Sequence, residues 1–99
     1  MSWMEKLLAE KLKNEIGTAD WPLLKPHADR GVILIIHPQL DLLEVAIQVA
    51  EDRTEQIRLW LDGGEITRPT PKQLKEWETG ETIFICIIVQ PFILIQLPS

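Results

Sequence analysis

Two apolar runs constrain this chain more than any other feature: Val32-Ile33-Leu34-Ile35-Ile36, and the longer stretch 83–97, broken only at Gln90-Pro91 and Gln96. Residues branched at Cβ dominate both, and such side chains fit a pleated strand better than a helix. Continuity, where a half-solvated strand would alternate, means burial on both faces. A membrane helix needs about 20 apolar residues, more than the second run supplies. The runs therefore read as three strands, 32–36, 83–89 and 92–95. Pro91 cannot take the positive φ usual at the centre of a two-residue hairpin. A wider hairpin is expected there, with a cis-proline turn or a kinked strand as the alternatives.

Helical signals fill the rest. Trp3, Met4, Leu7, Leu8, Leu12 and Ile16 recur at three- and four-residue steps, so residues 2–16 form an amphipathic helix, with a capping box at Ser2 and Glu5 and a stop at Gly17. Asp20-Trp21-Pro22 opens another segment, but Pro26 removes an interior hydrogen bond and leaves an irregular turn or two. Asp41-Leu42-Leu43-Glu44 has capping-box spacing and leads into the most apolar helix, with a thin polar stripe at Glu44, Gln48 and Glu51. Asp52-Arg53-Thr54-Glu55 repeats that spacing, so the chain restarts or bends there, with Ile57, Trp60 and Leu61 inward and Gly63-Gly64 as the stop. Thr70-Pro71-Lys72-Gln73 caps a last helix with Leu74 and Trp77 inward, ended by Gly80.

These elements predict an α+β fold in a single domain spanning 1–99. Its sheet is small, three-stranded and mainly antiparallel, packed with about four helices in the order α-(α)-β-α-α-α-β-β. Three strands make a sheet about 14 Å wide, which two helices cover on one side. The other side falls to the N-terminal helix, the segment around Trp21 or a second subunit. An exposed edge at 93–96 invites pairing, which makes a homodimer the expected assembly.

With 99 residues, 45% apolar and 25% charged, the composition is that of an ordinary globular protein. The single cysteine, Cys86, has no thiol partner for a disulfide or a metal, and the opening residues lack a signal-peptide run, so a cytoplasmic location is expected. A net charge of −5 with scattered Lys and Arg argues against nucleic acid and against anionic membrane surfaces.

Candidate chemistry is sparse. His37 ends a buried strand before Pro38, with Asp41 near enough in sequence to orient it. With Glu44, Glu51 and Asp52 it could form a small catalytic or divalent-cation site. Capping is the stronger reading for Asp41 with Glu44 and for Asp52 with Glu55, and an exposed stripe for Glu51. His27 has no second ligand at metal spacing, and Cys86 lies mid-strand where burial disfavours a thiolate. Trp3, Trp21, Trp60 and Trp77 read as core or subunit contacts, three of them at core-facing helical positions. No phosphate-binding loop or nucleophile motif occurs. No cofactor and no metal are expected, and the chain reads as a non-enzymatic, self-associating binding module, the rival being a small enzyme or cation binder.

The stretches Asp41-Leu42-Leu43-Glu44-Val45-Ala46, Ala50-Glu51-Asp52, Trp60-Leu61, the helix 73–77 and the run 89–96 together resemble a small family of uncharacterised bacterial proteins, a domain of unknown function. The resemblance runs from Leu7 to Gln96, with Phe92 where the family pattern has Trp. It implies this domain and no active site, cofactor or partner.

Overall fold

The computed structural model describes residues 3–97. Among them lie five helices: α1 (Trp3–Glu15), α2 (Trp21–Asp29), α3 (Leu42–Ala50), α4 (Thr54–Asp62) and α5 (Pro71–Thr79). Five strands, β1 (Gly17–Asp20), β2 (Ile33–Ile36), β3 (Ile66–Thr67), β4 (Ile83–Val89) and β5 (Phe92–Gln96), form one sheet in the order β1-β4-β5-β2-β3. The class is α+β, but the sheet has five strands instead of three and is mixed. β2 and β5 run parallel, with Leu34 opposite Leu94, and the other three pairings are antiparallel.

The two additional strands carry no apolar run. β1 is Gly-Thr-Ala-Asp, and it becomes a strand by pairing Gly17 with Cys86 and Asp20 with Ile83. Gly17 thus ends α1 and begins a strand. β3 is two residues long, held by Ile66 opposite Ile36. They occupy the edges, which corrects the expectation that 93–96 is an exposed edge: β5 lies between β4 and β2, and Ile95 is fully buried.

Strand residues alternate between two cores. On one face Leu34, Ile36, Ile87, Val89 and Leu94 meet α1 and α3 through Leu12, Leu42, Val45 and Ala46, with Trp60 of α4 partly buried against them. On the other, Ile33, Ile35, Phe84, Ile93 and Ile95 meet α2 and α5 through Trp21, Leu24 and Trp77. The side left open by the sequence is therefore covered by the chain itself. We call the two faces aliphatic and aromatic.

The caps explain most helix starts. Thr70 Oγ1 accepts from Gln73 N at 3.1 Å while Gln73 Oε1 accepts from Thr70 N at 2.9 Å, the full box read from the sequence. Asp41 Oδ1 accepts from Leu43 N, and Glu44 turns instead to Gln48. The cap expected from Asp52 and Glu55 does not form. Asp52 sits at φ 56 between α3 and α4, and Arg53 takes the N-cap position, its side chain making no capping bond to the helix. Asp and Asn tolerate that left-handed conformation better than most residues. The box read from Ser2 and Glu5 lies outside the described residues, because Ser2 does.

Three further expectations are corrected. α2 is a regular helix of nine residues, not a turn or two. Pro26 costs it only the bond to the Pro22 carbonyl in the first turn, and Asp20 caps it by accepting from Leu23 N. Gln90-Pro91 is a cis peptide in a two-residue turn, with Val89 paired to Phe92, instead of a wider loop; proline fits this turn in cis. Trp3, expected at the core, is 72% exposed, and Leu61 is 44% exposed; Trp3 is the first residue of α1, and Leu61, in the last turn of α4, borders an open cleft beside Leu34 and Phe92.

Candidate functional site

β2 delivers His37 to the loop before α3, and the loop is held on all sides. The His37 N–H donates to the Glu65 carbonyl at 2.8 Å, and its own carbonyl accepts from Leu40 N at 2.9 Å. Gln96 Nε2 donates to the His37 and Leu40 carbonyls. The exposed imidazole accepts from Gln39 N through Nδ1 at 3.0 Å, which leaves Nε2 to carry the proton of the neutral ring. Nearby, the Asp41 carboxylate caps α3.

The remaining candidates are similarly engaged. Glu44 Oε1 accepts from Gln48 Nε2 at 3.0 Å, and both Glu51 oxygens lie 3.4 Å from Arg53 Nη2. Asp52 lines a shallow groove of about 590 Å³ with Gln48, Arg53, Thr54, Glu55 and Gln56. Of the five residues singled out, Asp52 alone contributes to that lining. No group of three or more His, Cys, Asp or Glu among the described residues is placed to hold a metal ion.

His27 and Cys86 share a different groove, of about 290 Å³, beside α2, where Leu23, Leu24, Ile88 and Ile93 are neighbours. Burial pushes the Cys86 thiol up from its ordinary value, which disfavours the thiolate a nucleophile requires. His27 Nδ1 contacts the Arg30 guanidinium, one turn further along the chain.

One residue that sequence reasoning passed over stands out. Arg68 follows β3, and its Nη1 donates to the Gly31 carbonyl at 2.7 Å. It lines two apolar clefts, one on each face of the sheet. The first, of about 130 Å³, is walled by Ala28, Gly31, Ile33, Pro69 and Leu74. The second, of about 140 Å³, is walled by Leu34, Val49, Ile57, Leu61 and Phe92. No motif marks Arg68; the one signal in the sequence is a basic residue beside Pro69 in an acidic chain.

The exposed apolar surface is also informative. Ile83 and Ile85 project on the aliphatic face yet remain 52% and 40% exposed. Their direct partners there are Asp20 and Thr18 of the edge strand β1. Among the described residues, no helix is long and apolar enough to cross a membrane.

Comparison with known proteins bears on family and fold. A search of curated proteins returned no match. Among solved structures, the NMR solution structure of PA1075 from Pseudomonas aeruginosa matches with a TM-score of 0.79 and 29% sequence identity, covering 100% of this chain and 92% of that one. The family model described as protein of unknown function (DUF2288) matches residues 7–97, nearly the whole chain, so the chain belongs to that family.

Proposed function

We propose that this chain is a single-domain, non-enzymatic binding module that associates with a second copy of itself. One observation carries the reading: Ile83 and Ile85 are exposed on a sheet face whose other apolar residues are under helices. Among the described residues β1 beside them pairs only with β4, so the sheet as described ends next to the patch. A two-fold axis presents the same patch from both copies and covers each with the other, the commonest way soluble chains assemble. A reducing, cytoplasmic location suits the lone thiol, and the net charge of −5 supports a partner other than nucleic acid.

Light scattering tests the assembly. The expected mass at micromolar concentration is twice 11.4 kDa, and Ile83→Lys with Ile85→Lys returns the monomer mass with unchanged circular dichroism. A monomer mass for the unmodified chain overturns the reading. The rival, a small enzyme or cation binder on His37, Asp41, Glu44, Glu51 and Asp52, has less support, because four of these already serve local hydrogen bonds or ion pairs. A rise in melting temperature with Mg²⁺, Ca²⁺ or Zn²⁺ that Glu44→Ala or Glu51→Ala abolishes would replace the binding-module reading.

A further inference from the structure

We propose that Arg68 and the cleft beside it on the aromatic face bind a small organic carboxylate with an apolar body. Three observations converge on that ligand class. The guanidinium has five donors in a planar fork that matches a carboxylate, and the bond from Nη1 to the Gly31 carbonyl fixes its head at the cleft wall. Among the described residues no carboxylate forms an ion pair with it; the pairs present are Lys25 with Glu78 and Arg53 with Glu51. Apart from Arg68 itself, the wall residues Ala28, Gly31, Ile33, Pro69 and Leu74 carry no polar side chain. Such a wall holds a hydrocarbon body and leaves the acid to the guanidinium.

Size and charge narrow the class. A cavity of about 150 Å³ lined by apolar side chains accommodates benzene, and this cleft, of about 130 Å³, suits a body of similar bulk partly open to water. One cation meets one acid group, so a polyphosphate or a nucleic acid finds too little positive charge. The second cleft is less suited, because Gly31, to which the guanidinium is bonded, lines the first and is not among the walls of the second. The inference goes beyond self-association and uses none of the residues assigned to it.

Benzoate is the probe, titrated into the full chain at neutral pH and followed by ¹H–¹⁵N correlation spectra, with benzamide as the uncharged comparator. Saturable shifts are expected at the amides of Gly31, Ile33 and Leu74, with benzamide at least about tenfold weaker because it lacks the charge-assisted bonds. Arg68→Ala is expected to weaken benzoate by at least about tenfold, and Arg68→Lys, which keeps the charge but loses the fork, by less. Leu74→Trp, which fills the first cleft, abolishes binding, whereas Ile57→Trp, in the second, leaves it intact. Any of four results overturns the inference: no saturable benzoate shifts, equal benzamide binding, indifference to Arg68→Ala, or loss with Ile57→Trp but not with Leu74→Trp.

Discussion

The two faces of the sheet are covered by different means. Over the aliphatic face lie α1, α3 and α4, and the fully buried side chains there are Leu, Ile, Val and Ala, each contributing a modest area. The aromatic face has two helices of nine residues, each with proline in its first turn. It closes with large rings: Trp21 lies 5.4 Å from Trp77, which meets Phe84 edge-on at 5.0 Å. An aromatic side chain buries about 150–250 Å², so a few rings do the work of many methyl groups. Concentration has a cost. Trp21 Nε1 is buried without a hydrogen-bond partner, the one such side-chain atom among the described residues, and an orphaned donor costs about 1–3 kcal/mol.

If this contrast is right, truncations should hurt the aromatic face more per residue. Trp77→Ala removes the ring between Trp21 and Phe84, and urea denaturation should show a loss of about 3–5 kcal/mol. Leu94→Ala, at the centre of the aliphatic face, should cost about 2–4 kcal/mol, since its neighbours share the burial; a loss larger than that of Trp77→Ala would break the contrast. The caps give a finer comparison. Thr70→Ala removes the hydroxyl that accepts from Gln73 N in the box on the aromatic side, leaving the bond from Thr70 N to Gln73 Oε1, and should cost about 1–2 kcal/mol; Asp41→Ala, which removes the capping bond on the other side, should cost about 0.5–1 kcal/mol.

Cys86 is a pH probe of the aromatic face. Burial raises its folded-state pKa, so the folded thiol keeps its proton after the unfolded one has lost it. Its contribution is therefore intact below the ordinary value of 9.0 and is lost as pH rises beyond it. The urea midpoint should fall above that pH by more in the native chain than in Cys86→Ala. The smallest effect belongs to the pair tying α2 to α5: Lys25 Nζ lies 2.9 Å from Glu78 Oε1, and both side chains are about half exposed. A double-mutant cycle with Lys25→Met and Glu78→Gln should give a coupling that disappears at about 1 M salt. A coupling that survives there would mean the two helices are held by more than their rings.

Legibility in the sequence followed burial. β2, β4 and β5 announce themselves because both their faces are covered, which forces unbroken apolar runs. α5 was readable from Thr70 and Gln73 because a capping box is local chemistry. β1 was not, since Gly17-Thr18-Ala19-Asp20 acquires its conformation from Ile83-Phe84-Ile85-Cys86, more than sixty residues away. Without β1 and β3, β5 looked like an edge. The candidate site divides the same way. The chemical types of His37, Asp41 and Glu51 were plain, but not that each would find a backbone amide or a neighbouring guanidinium first. Arg68 was invisible because what distinguishes it, the Gly31 carbonyl and two clefts, exists only after folding.

β5 joins segments made at very different times. It pairs on one side with β4, its immediate predecessor, and on the other with β2, sixty residues earlier. Take away its five residues and the sheet falls into two unconnected ribbons, β1 with β4 and β2 with β3. Neither has the three strands that independent stability generally demands. Until residue 92 is available, nascent polypeptide therefore holds two half-built pieces with greasy seams open, and its assembly clock is set by a long-range closure instead of by the quick formation of helices.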